Sequence, residues 1–314
     1  MLTGSFINLD RLAIMIITRK SLFSTMLLCT ALLSLSACKE KAAEKAAEPA
    51  PVAAAKPVEA VIVAVPLPPE MMVAGQPIDP LCFQAKMEDS AENALQNVSL
   101  TACRGDEIVL DQGATLIPDA KGFISYRYGY NGGGGADTRI DSFAGYYYLG
   151  QKDGLMVVLS IMNGGGSGTF TNIATYRRTG DTMSMIKSYA AGDRCNGGIA
   201  GAKIVNGVLT YGVNLTPMDI LAETGMKSQY QFNLSEDVES SASSCFGVGA
   251  YEDGVLAGIV LSSTAALAPP TGSNKYQPCY NAMQRDYIKQ GMQTLIGRDF
   301  TRFSHAFQGR CIRR

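Results

Sequence analysis

Phe123-Ile124-Ser125-Tyr126-Arg127-Tyr128-Gly129-Tyr130 decides the fold class. Its aromatic residues recur at every second position, so Tyr126, Tyr128 and Tyr130 share one face of an extended chain. Helical spacing would scatter them. Outward from this stretch the same grammar repeats. Asn131-Gly132-Gly133-Gly134-Gly135 breaks the strand, and Ile140–Leu149, carrying Tyr146-Tyr147-Tyr148, forms the next. Asp153-Gly154 is a hairpin turn signal. Leu155–Met162 is nearly continuous in apolar residues, as in a strand buried on both faces. Phe170–Arg178, a Gly180-Asp181 turn and Thr182–Tyr189 extend the series, and Ile204–Tyr211 is a hairpin about Asn206-Gly207. Short strands with turns at this rhythm predict a mainly β, antiparallel domain, as sandwich, barrel or meander.

Three short helical segments are expected. Cys82–Leu95 holds good helix formers and no proline, and predicts a short N-terminal helix. A short strand is expected near Glu107–Leu110. Thr216-Pro217 predicts a short helix start, with Thr as N-cap and Pro at the first helical position. Gln229–Leu234 and Val255–Leu261 read as later strands, and Ala265–Ser273 as a loop. The C-terminal segment has Tyr280, Met283, Tyr287, Ile288, Met292, Leu295 and Ile296 at helical spacing, an interruption at Gly297, then Phe300, Phe303 and Phe307.

The 33 glycines and abundant Thr, Ser and Tyr agree with turns and strands. The start of the chain is different. Arg19-Lys20 precede a short apolar run, Leu22–Leu33, which ends in Leu35-Ser36-Ala37-Cys38. A basic patch, a short apolar stretch and small residues make a secretory signal. The run is short of the about 20 apolar residues that span a bilayer. Leu35-Ser36-Ala37-Cys38 resembles the lipobox of bacterial lipoproteins. That resemblance implies recognition through Leu35, Ser36 and Ala37, removal of Met1–Ala37, and a lipid on Cys38, which becomes the first residue. It implies a cell-envelope location, and Lys39 in place of Asp implies export to the outer membrane, facing the periplasm. Met15 offers a second candidate start for translation.

Removing Arg11, Arg19, Lys20 and Asp10 from 27 basic and 28 acidic residues leaves 24 and 27, a net charge of −3. That gives no case for a nucleic-acid partner. Lys39 to about Pro77 is rich in Ala, Pro, Glu and Lys, and reads as a disordered tether, so that residues 78–314 form one domain. Eight cysteines occur. Cys29 leaves with the signal, Cys38 takes the lipid, and Cys82, Cys103, Cys195, Cys245, Cys279 and Cys311 remain. An even number in an oxidising compartment predicts three disulfides. Cys82 with Cys103 is the first expected pair, since it closes a local loop. One straight helix would hold Cys279 and Cys311 roughly 48 Å apart, far beyond disulfide reach. Either the segment folds back near Gly297 or these two bond elsewhere. No pair has C-x-x-C spacing, which argues against zinc ribbons and thioredoxin-like chemistry.

Few residues offer catalysis. His305 is the single histidine, which removes histidine metal clusters, and no nucleophile motif accompanies it. Ser184-Met185-Ile186-Lys187 fits Ser-x-x-Lys, but it lies in a strand where that motif opens a helix. Gly132–Asp137 fits one copy of a calcium repeat that works in tandem, and a hairpin loop explains it better. No metal or cofactor is expected. Tyr126, Tyr128, Tyr130 and Tyr147 form a possible binding surface, and cross-strand packing under a covering layer is the preferred explanation for them. Residues 275–314 carry eight Lys/Arg against two acids, whereas the rest of the mature chain has 16 against 25. The expected function is a membrane-anchored, non-enzymatic binding or envelope-maintenance module with an envelope protein or glycan partner. A carboxylate-dependent envelope hydrolase is one alternative. A structural subunit of an envelope assembly is the other.

Overall fold

The computed structural model describes residues 61–84, 97–105, 108–130, 141–226, 237–263 and 274–313. Strands β1 (Met72–Val73) and β2 (Gln76–Pro77) form a small hairpin. β3 (Asn97–Ser99) and β4 (Ile108–Leu110) follow, then β5 (Phe123–Tyr130), β6 (Ser142–Lys152), β7 (Leu155–Asn163), β8 (Phe170–Thr179) and β9 (Thr182–Asp193). β4 to β9 form an antiparallel meander, and β3 joins it beside β9 to complete a seven-stranded sheet. A second meander holds β10 (Ile199–Val205), β11 (Val208–Leu215), β12 (Gly247–Glu252), β13 (Val255–Leu261) and β14 (Thr294–Leu295). Helix α1 (Pro217–Leu221) follows β11, and α2 (Gln277–Lys289) and α3 (Arg298–Phe307) flank β14. Both sheets are open. Their end strands do not pair with each other among the described residues, so the barrel gives way to packed meanders.

Turn chemistry sets the registers. Asp153-Gly154, Asn206-Gly207 and Asp253-Gly254 all have positive φ at both positions, the requirement of a two-residue type I′ hairpin. The β6–β7 pairing then aligns Lys152 with Leu155 and Tyr146 with Ser160. Met156 to Ser160 of β7 are buried on both faces, as its nearly continuous apolar run predicts. Val157 and Leu159 enter a core shared with Ile173, Leu209, Tyr211, Val213, Ile259 and Leu261, so the two sheets meet there. Tyr280, Met283, Phe303 and Phe307 of α2 and α3 join the same core. Met156 and Val158 enter a second core with Tyr146, Tyr148, Ala174 and Tyr176, closed by Met71, Ile78, Phe83 and Leu100.

Four expectations change. The Pro-rich stretch read as tether to Pro77 joins the body from Ile62: Ile62 bridges Ala202, and the amides of Val63 and Val65 donate to Ala202 and Tyr148 carbonyls at 3.0 Å. Proline is tolerated there because the segment uses few backbone donors. The N-terminal helix begins differently too. Pro80–Phe83 is a 3-10 turn capped by Asp79, and residues 85–96 lie outside the described residues. β12 appears where no strand was expected, while the expected strand Gln229–Leu234 and loop Ala265–Ser273 lie outside the described residues. Other expectations hold. Thr216 caps α1 in a reciprocal capping box with Asp219. Three disulfides join Cys82 to Cys103, Cys195 to Cys245 and Cys279 to Cys311, with Cα separations of 4.9, 4.6 and 5.7 Å. The last is the fold-back, and it starts earlier than the helical spacing predicts: α2 ends at Lys289, Met292, Leu295 and Ile296 lie outside it, Leu295 adds β14 to the sheet, and the chain turns at Gly297 and returns as α3.

Candidate functional site

The tyrosine rows are internal. Tyr126 and Tyr128 of β5 are 5% and 2% exposed, and Tyr146 and Tyr148 of β6 are buried too. The N-terminal segment covers much of this face. The Phe83 ring lies 4.6 Å from Tyr146 and 5.2 Å from Tyr176. Asp79 accepts from the Tyr126 hydroxyl and pairs with Arg104, whose guanidinium sits 5.5 Å from the Tyr126 ring centre. Burial, then the Asp79 contact, pushes the Tyr126 hydroxyl well above the usual tyrosine range. Tyr126 and Tyr128 are therefore packing residues and do not present a surface. Tyr147 faces the other way, half-buried and stacked on Phe123 at 4.6 Å. Phe123 in turn lies where a Cβ on Gly145 would be, 2.3 Å from its ring, so this stack needs glycine opposite. The Tyr130 side chain lies outside the described residues. Sequence reading missed Asp79 and Arg104; Asp79-Pro80, a cap followed by proline, was the available signal.

One buried hydroxyl in this layer has no partner among the described residues. Tyr146 is fully buried and its OH makes no hydrogen bond to any of them. An unsatisfied buried hydroxyl costs about 1–3 kcal/mol. Tyr146→Phe is therefore expected to raise stability by about 1 kcal/mol or more, read as a higher denaturation midpoint. An unchanged or lower midpoint would mean that the hydroxyl has a partner in solution.

The candidate chemistries separate in space. Ser184 Oγ donates to Asn97 Oδ1 at 2.5 Å, while Lys187 Nζ lies 4.1 Å from the Tyr189 ring centre, so no Ser–Lys pair forms. His305 is exposed on α3. Gly132–Asp137 lies outside the described residues, and among the described residues no three His, Cys, Asp or Glu side chains gather as a metal site. Several carboxylates are held by cations. Asp253 lies below the usual range because Lys152 and the Leu209 amide donate to it, and Asp286 does so because of Arg310. At Asp193 burial pushes upward, and Arg194 with the Thr169 amide outweighs it.

Lys152 marks where three hairpin turns meet. Its Nζ lies 3.0 Å from Asp253 Oδ2, 3.7 Å from Asp153 and 3.3 Å from the Gly207 carbonyl, so one amine joins the β6–β7, β10–β11 and β12–β13 turns. Asp253 has a lowered folded pKa, so the stability it adds is complete above its unfolded value of about 4 and is lost as pH falls through the folded value. The pair lies near the surface, so solvent screening keeps its contribution small. Asp253→Asn is expected to flatten the fall of stability with acid below about pH 4 while changing the neutral-pH midpoint little.

Two exposed surfaces remain. A shallow groove of about 720 Å³ is lined by Pro66, Leu67, Met72, Pro77, Ile117 and Pro118, and Ile117 is 68% exposed. It has apolar contact area and no charged group in its lining, which suits adhesion to another surface better than bond chemistry. The second is the outer face of α2 and α3, where Lys289, Arg298, Arg302 and His305 are exposed. Compared with protein families, curated proteins and solved structures, the chain matches none.

Proposed function

We propose that this protein is an envelope lipoprotein, anchored through acylated Cys38, that acts as a non-enzymatic binding or envelope-maintenance module. The observation that carries the reading is Leu35-Ser36-Ala37-Cys38 behind the basic and apolar run that begins at Arg19. The three disulfides support it, because such bonds persist in oxidising compartments. The groove at Ile117 supports binding: it is open and apolar, and lies between residues 66–77 and Leu116, Ile117 and Pro118. On this reading the domain faces the periplasm from the outer membrane and meets a protein or glycan partner. A carboxylate hydrolase would need a cleft holding two carboxyls with separated pKa values. Asp193, Asp253 and Asp286 are instead all drawn down, each by its own cation.

The test is metabolic labelling with palmitate followed by fractionation. The wild-type chain is expected to take label and sediment with membranes. Cys38→Ala is expected to take none and to keep the signal peptide or appear in the soluble fraction. Equal labelling of the two would overturn the assignment of Cys38.

A further inference from the structure

The net charge of the C-terminal 40 residues is +6, on a mature chain whose remainder carries −9. The structure sets part of that charge on the exposed face of the helix that follows Gly297. α3 buries Phe303, Ser304 and Phe307. Arg298, Arg302 and His305 follow at intervals of four and three, so they share the opposite face, and all three are exposed. Arg313 continues beyond the helix and is exposed as well. α2 adds Lys289 at its end.

The acids of this region do not cancel the face. Asp286 is taken by Arg310 at 2.6 Å, which ties α2 to the turn after α3. Asp299 lies 3.5 Å from Arg302, an exposed contact of little energetic weight. The Cys279–Cys311 bond joins the start of α2 to the turn after α3, and Tyr280, Tyr287, Phe303 and Phe307 pack edge to face between the helices. The basic groups are thus mounted on one stapled, aromatic-cored unit. An exposed helix face offers no concave pocket for a small anion. It fits an extended, flat array of anions.

We propose that the outer face of α2 and α3, centred on Lys289, Arg298 and Arg302, docks the domain onto an anionic lipid surface. The occupant follows from charge complementarity and from the anchor, so the choice of a membrane rests on the lipoprotein reading. The 23 residues from Lys39 to Val61 would hold the domain within at most about 80 Å of the acylated cysteine, and within about 25 Å if coiled. A bilayer is then the anionic surface present at the highest effective concentration. The contact is peripheral. The exposed face of α3 is basic and polar, and its apolar residues are committed to the core.

The test uses the chain from Lys39 to Arg314, which keeps every described residue and all three disulfides but has no lipid. It is sedimented with vesicles of phosphatidylcholine, with and without phosphatidylglycerol. Binding is expected only to the anionic vesicles, and it is expected to weaken steeply with added salt. Each basic residue at such a surface contributes about fivefold, so Lys289→Gln, Arg298→Gln and Arg302→Gln together are expected to weaken partition about 100-fold. The matched control, Lys121→Gln, Arg127→Gln and Arg177→Gln on the β body, removes the same charge from exposed positions and is expected to change partition little. Unchanged melting confirms that both variants fold. The proposal is overturned by equal binding to neutral vesicles, by no binding to anionic ones, or by equal loss in both triple variants. It is also overturned if the chain binds soluble polyphosphate but no vesicle. Binding as expected, with no lipid found on Cys38 of the native protein, upholds the surface and removes only the anchor.

Discussion

Replacing Cys195 and Cys245 together by alanine is expected to lower stability by about 4 kcal/mol, from the loop-closure entropy of a bridge that spans 50 residues. For a domain of this size that corresponds to a fall of roughly 10 °C in melting temperature. The position of the bridge explains why the loss should be global. Cys195 lies in the turn where the chain passes from β9, in the first sheet, to β10, in the second. Its amide donates to the Ala242 carbonyl at 3.0 Å, and Cys245 directly precedes Phe246 and β12. The bond therefore pins the loop before β12 to the crossing between sheets. A loss below about 1 kcal/mol would mean that the crossing is held without it.

Phe303→Ala is expected to cost about 3–5 kcal/mol. Phe303 is fully buried, with its ring 5.0 Å from Tyr287 and 6.0 Å from Tyr280. Removing it leaves a void against two large rings, and the Cys279–Cys311 bond hinders collapse by fixing the far end of the helix pair. Hydrogen exchange locates the damage. Amides of α2, α3 and β14 are expected to lose protection first, while β6 to β8 stay protected until global unfolding. Uniform loss across both sheets would show that the helix pair does not open separately.

Much of the first sheet was legible because its physics is local. Alternation at Phe123–Tyr130, the apolar run at Leu155–Met162 and the Asp-Gly and Asn-Gly turns each act within a few residues. β12 was hidden because Gly247-Val248-Gly249-Ala250 reads as loop. In the fold those glycines accommodate neighbours. A Cβ on Gly249 would lie 2.9 Å from the Tyr251 ring, and one on Gly247 would lie 2.9 Å from the Val260 carbonyl. The Asp253-Gly254 turn was the signal that a strand preceded it. For the tyrosines, alternation tells which rings share a face but not what covers it. The cover comes from Met71, Ile78, Phe83 and Leu100, residues distant in sequence from the tyrosines, and Met71 lies in the Pro-rich stretch that reads as a tether. At the C-terminus geometry left two readings, a fold-back or other partners for Cys279 and Cys311, because a disulfide cannot span a straight helix of that length; the Cys279–Cys311 bond decides for the fold-back.

The measurement that tests the account most directly is the intact mass of the native protein purified from membranes, beside the Cys38→Ala variant. The account predicts a chain that begins at Cys38, carries an N-terminal acyl adduct and lacks six hydrogens, two for each of the three disulfides. An unprocessed chain with free thiols, recovered from the cytoplasm, would contradict it.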